Sequence, residues 1–130
     1  MSEKIVSKGI FCCDTFILDK TNKLSLIGIF NDIKVAKIPI THSKMSFVAI
    51  LKIEDANSDS YNVDVKLKSP RDSELAEFKI KGKIDEKEGN VNVVVDINNF
   101  VFKEFGKHTF EIYINEKFID STSIEVKEEK

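Results

Sequence analysis

Two adjacent cysteines followed by an aspartate, Cys12, Cys13 and Asp14, are the first residues of the chain that could carry chemistry. Thiolates bind zinc, act as nucleophiles and exchange disulfides. On a strand, however, neighbouring side chains point to opposite faces, so the two sulfur atoms could not bind one tetrahedral metal ion. A vicinal disulfide would strain the peptide, and nothing in the sequence places a cation or a helix N-terminus beside either thiol. The pattern therefore predicts two buried structural thiols, with no metal and no other cofactor.

Asp14 is an acid within an otherwise apolar stretch that runs from Phe11 to Ile17. A carboxylate in such a place is costly unless its oxygens accept hydrogen bonds. We expect Asp14 to be a structural polar residue that caps backbone amides or pairs with a lysine. A functional carboxylate is the alternative, although the sequence offers no partner acid or base for it.

The two histidines, His42 and His108, lie on different segments and have no flanking catalytic signature. The nucleophile elbow, the zinc-protease helix motif and the phosphate-binding glycine loop are all missing from the sequence. We therefore expect a protein without catalytic residues, and not an enzyme.

A third pattern resembles the start of a calcium-binding loop, because Asp55, Asn57 and Asp59 stand at alternate positions. Ser60 then occupies the place of the turn glycine, and Lys66 the place of the glutamate that would close the site. The stretch is predicted to be a polar hairpin loop.

Charge and composition exclude several classes of protein. The 130 residues carry a formal net charge of -2 and a single arginine, Arg71, so the basic surface that binds nucleic acid is missing. The first nine residues are charged and unlike a signal peptide, and the apolar runs are too short to span a membrane. We expect a cytoplasmic protein that binds neither nucleic acid nor membrane.

The elements that must position these residues are strands, because apolar and polar residues alternate with a period of two. The segment from Tyr61 to Lys68 is one example and the segment from Val91 to Asn98 is another. Turn signals separate such segments by hairpin distances, which leaves no room for crossover helices. Eight or nine strands in one domain over residues 1–130 predict an all-β fold of two packed antiparallel sheets, an immunoglobulin- or fibronectin-like sandwich. A closed β-barrel is the alternative.

One predicted strand, from Lys44 to Glu54, is apolar on both faces. One face would pack in the core, and the other, which carries Val48 and Ile50, needs a different cover. We expect Val48 and Ile50 to form an interaction face for a protein partner or a second copy. The segment Ile33 to Ile40 folding over the sheet would be an alternative cover.

Scattered positions along nearly the whole chain resemble a family of bacterial intracellular β-sandwich domains, immunoglobulin-like and of unknown function. The matching residues are Cys13 and Asp14, Lys23 and Leu24, Gly28 and Phe30, Pro39 and His42, and, near the end, Gly106 and His108. His108 stands where the family pattern has tyrosine, and we take it as a candidate structural polar residue. The resemblance implies a β-sandwich without an assigned activity.

These observations favour a non-catalytic module with a protein-interaction or structural role, acting through a protein partner or as a homo-oligomer. A small-ligand or carbohydrate-binding domain is the alternative, and an unrecognised hydrolase is a weaker one. A flat apolar patch or an open strand edge would favour interaction, whereas a pocket with convergent polar groups would favour the other two.

Overall fold

The computed structural model describes residues 3–21, 23–54, 60–83 and 89–129. They form nine strands: β1 (Lys4–Leu18), β2 (Leu24–Ile29), β3 (Asp32–Val35), β4 (Ile40–Glu54), β5 (Ser60–Lys68), β6 (Glu74–Lys83), β7 (Gly89–Phe102), β8 (Gly106–Ile114) and β9 (Lys117–Glu128). Asp55, Asn57 and Asp59, the residues that resemble a calcium loop, lie outside the described residues. None of the described segments is a helix long and apolar enough to cross a membrane.

The strands form two sheets, one of four strands in the order β2-β1-β4-β7 and one of five in the order β3-β9-β8-β5-β6. All strand pairs are antiparallel except β3 with β9, which run parallel. No described strand belongs to both sheets, so the fold is a β-sandwich and not a closed barrel. The predicted fold class is confirmed.

The alternation read from the sequence decides which side chains form the core. In β5 the residues Tyr61, Val63, Val65 and Leu67 are buried while their neighbours are partly or fully exposed. Strand β8 alternates in the same way. Because residues two apart share a face of a strand, each sheet presents one apolar face to the other.

The two inner faces meet around a pair of aromatic rings. Phe47 in β4 and Phe110 in β8 are completely buried, and their ring centroids lie 5.1 Å apart. Cys12 belongs to the same core cluster. This contact joins β4, one of the two inner strands of the four-stranded sheet, to β8, the middle strand of the five-stranded sheet.

Strand β7 changes its alternation at Asn99, which has a positive φ of 56°. Before this residue the odd positions Val95 and Ile97 are buried, whereas after it Phe102 is buried and Val101 is 40% exposed. Asparagine tolerates this backbone conformation better than most residues. The shift turns Phe102 inward, where its ring meets that of His108 edge-on at 5.0 Å.

The segment from Ile33 to Ile40 does not cover the sheet that carries Val48. Its first part lies in β3, which pairs with β9 at the edge of the five-stranded sheet. Ile38 and Ile40 pack against the sandwich core. The outward side of the four-stranded sheet is therefore left without this cover.

Replacing Phe47 by alanine should lower the free energy of unfolding by about 3 to 5 kcal/mol, because the substitution leaves a cavity at the contact between the sheets. Urea denaturation followed by circular dichroism measures the change. Phe118→Ala is the matched control, since that ring is 51% exposed, and it should cost about 1 kcal/mol. Equal losses for the two variants would contradict the assignment of Phe47 to the centre of the core.

Candidate functional site

The outward side of the four-stranded sheet carries a continuous group of apolar residues. Directly paired residues share a face, so the register places Cys13 beside Ile29 and Ser46, and Val48 between Phe11 and Val94. We call this group the outer patch: Phe11, Cys13, Ile17, Ile27, Ile29, Val48, Ile50 and Val94. Each described strand lies in one of the two sheets, so none of them packs over it.

Val48 and Cys13 form the floor of the outer patch. Both have 0% exposure, yet neither belongs to the core cluster between the sheets. Neighbouring side chains on the same face cover them instead. The ring of Phe11 leans over Gly9, where an added Cβ would lie 2.7 Å from the ring.

The candidate interaction face, Val48 and Ile50, thus lies on the outward side of the sheet. The two side chains differ in how much of their surface is exposed. Val48 is fully covered by its neighbours, whereas Ile50 is partly exposed. A charge at Val48 would have to be buried, so a substitution there would report on folding as much as on binding.

The accessible part of the outer patch is formed by three isoleucines near the β2 edge. Ile17 is 53% exposed, Ile27 46% and Ile29 54%. Exposed apolar side chains are common singly, but a contiguous group is typical of an interaction surface.

A polar pair borders the outer patch on the β7 side. The Ser46 hydroxyl donates a hydrogen bond of 2.8 Å to the carboxylate of Asp96. Burial is the largest cause of the raised pKa of the Cys13 thiol, followed by the charges of Asp14 and of the exposed Asp96. Ser46 is buried, so Asp96 is the member of the pair that gives this side of the patch an exposed polar group.

Cys12 and Cys13 point to opposite sides of β1, as strand geometry predicts. Both thiols are free and buried, Cys12 between the sheets and Cys13 in the outer patch. Burial, with a smaller contribution from Cys13, raises the pKa of Cys12 to about 12. Neither thiol has the lowered pKa of a nucleophile.

Asp14, expected from the sequence to accept hydrogen bonds, is exposed instead. It lies against Gly28, whose φ is +72°, and a Cβ added to that glycine would clash with Asp14 Oδ2. The glycine thus makes room for the carboxylate at the sheet surface. Because water solvates the group, it needs no buried hydrogen-bond partner.

Several residues of the family resemblance converge on one pocket of about 280 Å³. Its lining residues include Asp14, Gly28, Phe30 and His42. The rings of Phe30 and His42 lie 6.1 Å apart, and His42 Nε2 is buried without a hydrogen-bond partner in the described part of the chain. Spacing along the sequence did not indicate this grouping, because the residues come from three strands and a loop.

His108 in β8 is buried, with 1% exposure, and its ring packs against that of Phe102. Its Nδ1 lies 3.1 Å from the carbonyl oxygen of Gly106, so the hydrogen on Nδ1 donates to that carbonyl. Burial lowers the pKa of His108, while the Gly106 carbonyl and the charge of Glu104 oppose the shift. The residue has the surroundings of a neutral structural side chain.

Two further pockets lie elsewhere on the surface. One of about 340 Å³ lies along β5 and β6 near Asp64 and Lys79, and one of about 300 Å³ lies near Phe100 and His108. These volumes are at the lower end of the range for ligand sites. Among residues 3–21, 23–54, 60–83 and 89–129, no group of three or more His, Cys, Asp or Glu residues is arranged to hold a metal ion.

Comparison with known proteins gives a family but no activity. The model of a family of unknown function, DUF6941, matches residues 8–127. A search of curated proteins gives no match.

Several solved structures align with this chain at low sequence identity. A β-glucosidase from Listeria innocua aligns with a TM-score of 0.51 and 8% identity over 97% of this chain and 16% of its own. An immunoglobulin-like protein from Pseudomonas aeruginosa aligns with a TM-score of 0.48 and 12% identity over 95% of this chain and 97% of its own. The alkylpurine DNA glycosylase AlkC of Pseudomonas fluorescens, bound to DNA with an abasic site analog, aligns with a TM-score of 0.48 and 11% identity. The alignment covers 96% of this chain and 30% of the glycosylase. The chain thus spans less than a third of the two enzymes, and the β-glucosidase likeness concerns the fold alone.

Thiol labelling with Ellman's reagent at pH 8 should leave the native protein almost unmodified. Both thiols are covered, and a pKa of about 12 leaves Cys12 with about one thiolate in ten thousand molecules. In guanidinium chloride without reductant, two thiols per chain should react. Rapid labelling of either cysteine in the native protein would contradict their placement.

The free energy of unfolding should fall as the pH drops below the ordinary His108 pKa of 6.5. In that range the unfolded chain binds a proton at His108 while the folded chain resists it, so protonation favours the unfolded state. Denaturation at pH 7.5 and pH 5.5 measures the loss in the wild type and in His108→Phe. The loss should be smaller in the variant, and an equal loss would show that His108 does not contribute.

Proposed function

The chain belongs to the DUF6941 family of unknown function, and on that premise we propose that it is a non-catalytic interaction module that binds a protein partner through the outer patch. The single observation that carries the proposal is the set of three half-exposed isoleucines on the same face as the buried Val48 and Cys13. Folding does not require this face to be apolar, because the sandwich core lies on the other side of the sheet.

The shape of the outer patch supports a protein partner over a small ligand. A sheet face is broad and shallow, and burying its isoleucines would contribute roughly 1.5 to 3 kcal/mol for each fully covered side chain. The pockets, by contrast, have volumes of about 340, 300 and 280 Å³, at or below the lower end of the range for small-molecule sites. Carbohydrate binding and hydrolysis therefore have less support than interaction.

The proposal includes the cellular setting expected from the sequence. Two free cysteines side by side suit a reducing compartment such as the bacterial cytoplasm, where structural disulfides are rare. The net charge of -2 and the single arginine favour a protein partner over nucleic acid.

Ile29→Lys tests the proposal, because Ile29 is 54% exposed and a lysine there can reach water without disturbing the fold. Proteins that co-purify with the wild type from the native cell are identified, and their binding is then measured by calorimetry. Ile29→Lys should weaken binding about 10-fold or more, as expected when an apolar contact within an interface is lost.

Leu18→Lys is the matched control. Leu18 is 52% exposed, close to the value for Ile29, but strand alternation places it on the other side of the sheet from Ile17. It should leave binding unchanged. Equal effects of the two substitutions, or unchanged binding in Ile29→Lys, would overturn the outer patch as the binding surface.

A further inference from the structure

Strand β7 forms an edge of the four-stranded sheet that no other described strand covers. It is 14 residues long and pairs only with β4 among the described strands. Residues 89–102 contain no lysine, arginine or proline. Lysine, arginine and proline are the residues that usually keep an edge strand from pairing with another chain.

The other three sheet edges have more protection than β7. Strands β2 and β3 are only six and four residues long. Strand β6 carries Lys79 and Lys81, which are exposed. An open edge of this length thus occurs at only one of the four edges that the structure describes.

The sequence of β7 is nearly symmetric about Val94. One step away on either side is a valine, and two steps away stand Asn92 and Asp96. Three steps away are Val91 and Ile97, and four steps away are two asparagines. A strand of this kind is complementary to a second copy of itself running in the opposite direction, as a two-fold axis requires.

We propose that the chain forms a homodimer in which β7 pairs antiparallel with the partner's β7, with Val94 opposite the partner's Val94. The two four-stranded sheets then form one sheet of eight strands. The free backbone groups of both edges gain partners, which is the main source of affinity in strand addition.

Side chains in this register complement one another on both faces. On the outer side, the amide of Asn92 can donate to the carboxylate of the partner's Asp96, since both residues are exposed in the single chain. On the inner side, Val93 faces the partner's Val95. Asp96 is the only charged residue between 89 and 102, so no like charges oppose each other.

The dimer also brings two outer patches onto one sheet. The use of this larger surface rests on the proposed function, whereas the dimer does not. Val94 lies on the outer face next to the symmetry axis, so the two patches meet there. The exposed Ile17, Ile27 and Ile29 of each copy lie toward the two far edges of the eight-stranded sheet.

A cysteine at the axis tests the register. Val94→Cys places two thiols on directly opposed residues, whose Cα separation of about 4.5 to 5.5 Å allows a disulfide. Treatment with diamide should give a covalent dimer on a non-reducing gel. Ile27→Cys, on the same face at the opposite edge, is the matched control and should stay monomeric on the gel, and the native cysteines are buried. The same yield of covalent dimer from both variants, or none from Val94→Cys, would overturn the register.

Charge substitutions test the dimer without a covalent bond. Val94→Lys and Val94→Asp should each raise the dimer dissociation constant about 100-fold or more, because opposed like charges cost several kcal/mol. A mixture of the two variants should form a heterodimer, which also shows that both remain folded. Analytical ultracentrifugation measures the masses, with Ile27→Lys as the control that stays dimeric.

Two results would overturn the proposal: a wild type that stays monomeric at high concentration, and Val94 variants that dimerise as the wild type does. Neither measurement needs the protein partner of the outer patch. A failed dimer is therefore distinguishable from a failed proposal for partner binding, which Ile29→Lys tests separately.

Discussion

The contact between the two inner faces, centred on Phe47 and Phe110, is the interaction on which the rest of the structure depends. Burial of these faces supplies the main driving force for folding, since it removes the largest apolar area from water. It also commits one face of every strand to the core. Any apolar residue on the opposite face is then free of that requirement, and its presence calls for another explanation.

Cys12 and Cys13 show how sharp this division is. One position along β1 separates a thiol in the sandwich core from a thiol in the outer patch. A shift of one residue in register would exchange the two faces completely. The pairing of β1 with β4 contains one such shift, between Ser7 and Gly9, and the residues of β1 that meet the core change there from the odd position Ile5 to the even positions Ile10 and Cys12.

Much of the fold could be predicted from the sequence because the strands of the five-stranded sheet alternate clearly, as in β5 with Val63 and Val65. Where a strand is apolar on both sides, as in β4, alternation does not indicate which face packs in the core. The pairing of that strand with its neighbours determines the buried face. The Asp14 carboxylate lies where a side chain on Gly28 of the next strand would clash with it, a contact that no local pattern reports. The shift at Asn99 and the parallel pairing of β3 are likewise set by tertiary contacts.

The outer patch and the open edge of β7 lie on the same sheet, and this arrangement has a physical consequence. A sheet that adds strands at its edge extends both of its faces, so edge pairing and face binding do not compete for the same surface. Val94 belongs to both, because its side chain lies on the outer face while its backbone lies at the free edge. Pairing at the edge would order the side chains around Val94 before a partner binds, and this preorganisation lowers the entropic cost of the second contact.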